Sequence, residues 1–181
     1  DANKADVLGD GKVTFDGSKT LHLNGANIYY LCNEGMAGLT VQVDKASDVR
    51  LLIGTNASST TVTGAAALTM NASSCYGYPV ELKENASLTF KDMSVSFVKN
   101  SSSTSYTSDN ARGCLSVATG STLTFDYCDA TFTCATGMSY TNYTNGNLVL
   151  KDCRVDVPDD AKIVKGWIYA SDGTTLPGRV Q

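Results

Sequence analysis

One phrase recurs along the chain at positions far apart. It reads Leu21-His22-Leu23-Asn24-Gly25-Ala26-Asn27-Ile28, then Leu88-Thr89-Phe90-Lys91-Asp92-Met93-Ser94-Val95. It returns as Leu123-Thr124-Phe125-Asp126-Tyr127-Cys128-Asp129-Ala130 and as Leu148-Val149-Leu150-Lys151-Asp152-Cys153-Arg154-Val155. Each copy is apolar, spacer, apolar, two polar residues, a small or sulfur-bearing residue, one polar residue and then usually an apolar one. The alternation marks a strand with one buried face. Self-similarity along a chain marks units that bury that face against one another.

A second strand precedes the phrase. Val43 lies six residues before Val49, Leu82 six before Leu88 and Val117 six before Leu123, across polar, turn-like segments. The predicted unit is strand, short turn, strand, then a short third strand such as Val95-Ser96-Phe97 or Val155-Asp156-Val157. A variable excursion follows. Leu88 to Leu123 is 35 residues and Leu123 to Leu148 is 25, against roughly 20–25 for one bare coil of a solenoid. Thr60–Gly64 with Ala67–Met70 supplies a further partial coil. Stacked parallel strands would hold like residues about 4.8 Å apart. Phe90, Phe125 and Leu150 are then expected in one vertical file, and Ala26, Met93, Cys128 and Cys153 in another.

The ends of such a stack need cover, because an open strand edge invites pairing. Val7 to Leu23 reads as a capping hairpin, turning at Asp16-Gly17-Ser18-Lys19 between Val13–Phe15 and Thr20–Leu23. Pro158-Asp159-Asp160 breaks the pattern at the other end, and Ile163–Tyr169, with Trp167 as a capping residue, follows. The division expected is a capping hairpin and first coil over 1–30, coils over 31–157, and a C-terminal cap or the start of a linker over 158–181. The six cysteines, 32, 75, 114, 128, 134 and 153, include no CxxC pair, which excludes a zinc ribbon or thioredoxin-like motif. Most are expected to be buried, reduced thiols acting as small hydrophobes. Cys128 and Cys153 fall on adjacent coils, where a disulfide is an open alternative.

At these phrases the chain resembles the right-handed parallel β-helix proteins of gut bacterial surfaces. Val7-Leu8-Gly9-Asp10-Gly11-Lys12-Val13-Thr14-Phe15-Asp16 with Thr20–Ile28 is similar to their N-terminal start, and the Leu-Thr-Phe phrases to their coils. The likeness spans roughly residues 7 to 157. It implies an all-β, right-handed parallel β-helix. Some relatives are described as carbohydrate-binding domain proteins within the wider pectate-lyase-like superfamily. These motifs specify coils and not a binding site, so function must be argued from a site.

Composition narrows the classes. Net charge is −4 with pI about 4.8, which argues against nucleic acid as a partner. No apolar run approaches the roughly 18 residues of a membrane span. Asp is 15 and Glu 3, and Asp competes for backbone hydrogen bonds where Glu does not, disfavouring helices. Richness in Ser, Thr, Asn and Gly fits a secreted or cell-surface bacterial protein. The chain opens Asp1-Ala2-Asn3-Lys4 without a signal peptide, as a mature secreted protein would. Asn-x-Ser/Thr triplets occur at Asn56, Asn71, Asn85, Asn100 and Asn142, as chance supplies in so hydroxyl-rich a chain.

Nine tyrosines suggest stacking platforms for sugar rings. Tyr76 and Tyr78 precede one coil and Tyr140 and Tyr143 another, in the variable segments where a solenoid presents ligands. These four are the expected ligand-binding residues, and a polysaccharide or a host or matrix glycan the expected partner. The leading reading is a non-catalytic glycan-binding or adhesion module. A calcium-dependent polysaccharide lyase is the first alternative. It would draw its base from Arg112 or Arg154 and its calcium ligands from Asp92, Asp126, Asp129, Asp152 and Asp156. A passive structural spacer is the second. No catalytic or metal residue is assigned. The sole histidine, His22, alternates with Leu21 and Leu23 and is expected to face solvent.

Overall fold

Alternation of apolar and polar residues builds strands throughout the computed structural model. It describes residues 6–73, 77–99, 114–134, 146–153, 162–164, 167–169 and 179–180. Among the described residues there is no helix, and hence none long and apolar enough to cross a membrane. The strands are β1 (Val13–Phe15), β2 (Thr20–Asn24), β3 (Asn27–Glu34), β4 (Leu39–Lys45), β5 (Ser47–Thr55), β6 (Ser59–Thr63), β7 (Leu68–Asn71) and β8 (Val80–Leu82). They continue as β9 (Ser87–Lys91), β10 (Ser94–Lys99), β11 (Leu115–Val117), β12 (Thr122–Asp126), β13 (Asp129–Cys134) and β14 (Asn147–Lys151). Last come β15 (Lys162–Val164), β16 (Trp167–Tyr169) and β17 (Arg179–Val180).

These form an all-β arrangement of curled sheets with parallel strands. The first sheet runs β1-β2-β4-β6-β9-β12-β14, and the second β11-β8-β5-β7-β10-β13-β17 with β3 beside β5. Three strand pairs are antiparallel, β1–β2, β13–β17 and the separate β15–β16 hairpin; the others are parallel. The chain leaves the first sheet, crosses to the second, and returns one strand further along. β5 is long enough to carry two neighbours: Ser47 and Asp48 pair with β7, and Leu52–Gly54 with β8.

Register places like residues level. Leu21, Val41, Val62, Phe90, Phe125 and Leu150 form one file on the first sheet. Met70, Phe97 and Phe132 form another on the second. The rings of Phe90 and Phe125 stack at 5.4 Å, and those of Phe97 and Phe132 at 4.7 Å. The two files meet edge to face across the core, with Phe90 and Phe97 at 5.4 Å. Offset stacks and edge-on contacts are the geometries a ring quadrupole favours. The expected file of Phe90, Phe125 and Leu150 is therefore present.

Three expectations need correction. Leu21, and not Leu23, is level with Phe90; the phrase at Leu21 is displaced by two residues. A two-residue slip keeps the same side chains facing inward, so the alternation alone does not fix it. Asn27 pairs with Asp48, Asp48 with Thr69 and Thr69 with Ser96. Ala26, one place before Asn27, is thus not level with Met93, three places before Ser96. Val43 stands on the first sheet, whereas Leu82 and Val117 pair with each other on the second, so Val43 is not their equivalent. Val155–Val157 lies outside the described residues.

The N-terminal hairpin forms as expected, with Val13 opposite Leu23 and Phe15 opposite Leu21. Its turn is held by Asp16, whose Oδ1 accepts from the amides of Ser18 at 2.8 Å and Thr20 at 2.9 Å. These amides, Thr20 first, hold the Asp16 carboxyl below its ordinary value. A lowered native pKa adds stability that is present above the unfolded value near 3.8 and is lost as pH falls through the native one. Asp16→Asn is therefore expected to remove part of the hairpin's acid sensitivity. Amide exchange at Ser18 and Thr20 between pH 5 and 2 reads it; an unchanged profile would contradict it.

Among the described cysteines, Cys114 is buried, and Cys128 and Cys153 are half-buried, reduced thiols. Cys32 is exposed, because Leu31 and Asn33 take the inward positions of β3. Cys75 and the side chain of Cys134 lie outside the described residues, as does the side chain of Trp167. His22 is half-exposed, as expected, with Nδ1 2.8 Å from Asp44 Oδ2.

Candidate functional site

At the corners that follow β6, β9, β12 and β14, one residue per level has positive φ. The residues are Gly64 (143°), Asp92 (52°), Tyr127 (54°) and Asp152 (52°). The preceding residues Thr63, Lys91, Asp126 and Lys151 are paired in register, so these four are level equivalents. Successive corners are tied through the backbone: the Asp92 amide donates to the Asp126 carbonyl, and the Tyr127 amide to that of Lys151, each at 3.0 Å. Asp tolerates the left-handed region because its short polar side chain bonds locally, whereas a bulky residue there is an outlier. Tyr127 is that outlier, and it is also 70% exposed.

Around Tyr127 the corner opens as a groove of about 470 Å³, lined among others by Gly64, Asp92, Ser94, Asp129 and Asp152. Asp126 points elsewhere and is neutralised: Lys151 Nζ is 3.0 Å from its Oδ2. That hydrogen bond and charge raise the Lys151 pKa, with smaller contributions from Asp152 and Asp92. Among the described residues, no ion pair engages Asp92, Asp129 or Asp152. The groove therefore offers one aromatic face with carboxylate acceptors above and below it. Vicinal hydroxyls donate well to such acceptors, and a sugar's C–H face lies well on a ring.

Among the described residues no group of three His, Cys, Asp or Glu side chains is placed to hold a metal ion. Asp92 and Asp152 are two levels apart, roughly 10 Å. Arg112, Arg154 and Asp156 lie outside the described residues.

A second surface lies on the outer side of the second sheet, near its start. Tyr29 and Tyr30 are exposed with ring centroids 4.6 Å apart, and the Arg50 guanidinium sits 5.1 Å from the Tyr29 centroid. Both rings are exposed in succession on β3, a break in its alternation. Its pairing with β5 is interrupted between Ile28 and Tyr30. Arg50 also lines a cleft of about 410 Å³ with Asn27, Asp48, Asn71 and Ser73.

Of the expected ligand-binding tyrosines, Tyr78 is buried at 9% exposure. Tyr76, Tyr140 and Tyr143 lie outside the described residues. Tyr127 was not singled out, although its signal is readable: in the aligned phrases Asp92 and Asp152 fill the slot where it stands. Comparison with known proteins gives no match, whether to a family model, a curated protein or a solved structure.

Proposed function

We propose that the chain winds as a right-handed parallel β-helix and serves as a non-catalytic, secreted or cell-surface module that binds glycan along its Tyr127 corner. The parallel register files and the recurrent return to the first sheet support the winding. The observation carrying the binding reading is the exposed, strained Tyr127 between Asp92 and Asp152. A tyrosine at positive φ costs on the order of 1–2 kcal/mol relative to glycine before entropy is counted. Strain kept at an exposed aromatic points to use, as at other functional sites. Levels about 4.8 Å apart match the advance of a pyranose chain, so a linear neutral polysaccharide running across the levels meets the carboxylates in turn.

Titration of the chain against neutral polysaccharides tests this. Saturable binding is expected, weakened at least about tenfold by Tyr127→Ala, as for a central aromatic anchor. Tyr127→Gly is expected to weaken binding equally yet raise stability by about 1 kcal/mol in urea unfolding, because it relieves the left-handed strain. Binding that survives both substitutions, or none across the panel, would overturn the assignment. The second outcome would favour a passive spacer.

A further inference from the structure

We propose that Cys128 and Cys153 are the two halves of a disulfide that staples the last two levels of the first sheet's corner. Asp126 pairs with Lys151, and each thiol lies two residues further on, so the two cysteines are level neighbours. Cys153 Sγ is 3.2 Å from the Cys128 amide nitrogen and 3.7 Å from the Cys128 carbonyl oxygen. Adjacent parallel strands sit about 4.8 Å apart, within the Cα separations of roughly 4.4–6.8 Å that a disulfide spans. Cys153 Sγ thus already lies against the Cys128 backbone. At the levels before them the equivalent positions hold Met93 and Ala65, so sulfur of the right kind occurs at two consecutive levels only.

The location suits a staple. Among the described residues β14 is the last strand of the first sheet. Its inward residues Leu148 and Leu150 are half-buried where Leu123 and Phe125 on β12 are buried. A strand with less buried side chains opens more readily than a fully buried one. Cys128 also lines the groove beside Tyr127, which gives a small oxidant access, although burial raises its thiol pKa and slows attack at neutral pH.

The chemistry is thiol–disulfide exchange with a low-molecular-weight disulfide. The Cys128 thiolate attacks one sulfur of that oxidant, forming a mixed disulfide and releasing one small thiolate. The Cys153 thiolate then attacks the Cys128 sulfur, closing the protein bridge and releasing the second. The two cysteine protons end on the two released thiols, so the protein is oxidised by two electrons and the small disulfide reduced by two.

Incubating the full chain with oxidised glutathione at pH 8.5, alkylating and mapping peptides without reductant tests this. The expected product is one linked Cys128–Cys153 peptide pair lacking two hydrogens. The melting temperature should rise on the order of 10 °C, as closing a 25-residue loop implies, and reductant should reverse it. Cys153→Ser should abolish the linked pair and the shift. Alkylation of both thiols after treatment, or a bridge from Cys128 to a different cysteine, would overturn the proposal. The readout is sulfur chemistry alone and stands apart from what the groove binds.

Discussion

Replacing Gly64 by alanine is expected to cost about 4 kcal/mol or more, enough to unfold much of a domain of ordinary stability. At this corner an added Cβ would sit on the Val43 backbone, 2.3 Å from its carbonyl oxygen and 2.9 Å from both its nitrogen and its carbonyl carbon. The φ of +143° is also closed to side-chain-bearing residues. Relief would need the β4 and β6 levels to separate, breaking a parallel ladder and the packing beneath it. Gly25 supplies the contrast. It too has positive φ, +70°, but an added Cβ there meets nothing within 4 Å. Gly25→Ala should lose only about 1–2 kcal/mol, the left-handed penalty alone. Urea unfolding of the two variants separates the effects. Equal losses would mean that the Gly64 corner does not lie against Val43.

The second large effect is expected at Phe90. Its side chain is fully buried, stacked on Phe125 and edge-on to Phe97. Phe90→Ala should cost about 3–5 kcal/mol, combining lost transfer energy with a cavity that stacked levels cannot close. Phe90 and Phe125 should also be coupled. A double-mutant cycle is expected to give about 0.5–1.5 kcal/mol beyond additivity. Leu150→Ala, in the same file but half-buried at its end, should cost less than Phe90→Ala. Losses that do not fall toward the end of the file would argue against the layered core.

The alternation and the repeated phrases made the layering legible. Strand identity, the N-terminal hairpin and the Phe90–Phe125–Leu150 alignment follow from residues facing one interior at matching intervals. The first copy of the phrase was harder to place. Leu21-His22-Leu23 fits equally well two residues along, and the register there is set by pairing with β4 and the β1 hairpin rather than by its own pattern. Tyr29 and Tyr30 are exposed in succession before the buried Leu31, which puts Cys32 outward, a break that alternation does not encode. The groove was half visible. Asp92 and Asp152 could be seen to share a position, but nothing linear shows that this position is a left-handed corner. Only that geometry turns Tyr127 from one more aromatic into an exposed, strained one between two carboxylates.

The central claim is that distant stretches stack level by level, which is also what sets Tyr127 between Asp92 and Asp152. Side-chain nuclear Overhauser contacts from selectively labelled phenylalanine and leucine test it most directly. The Phe125 ring should contact both the Phe90 ring, whose centroid is 5.4 Å away, and the methyls of its level neighbour Leu150. Contacts from Phe125 to Leu148 in place of Leu150, or an absence of contact with Phe90, would contradict the register and the site built on it.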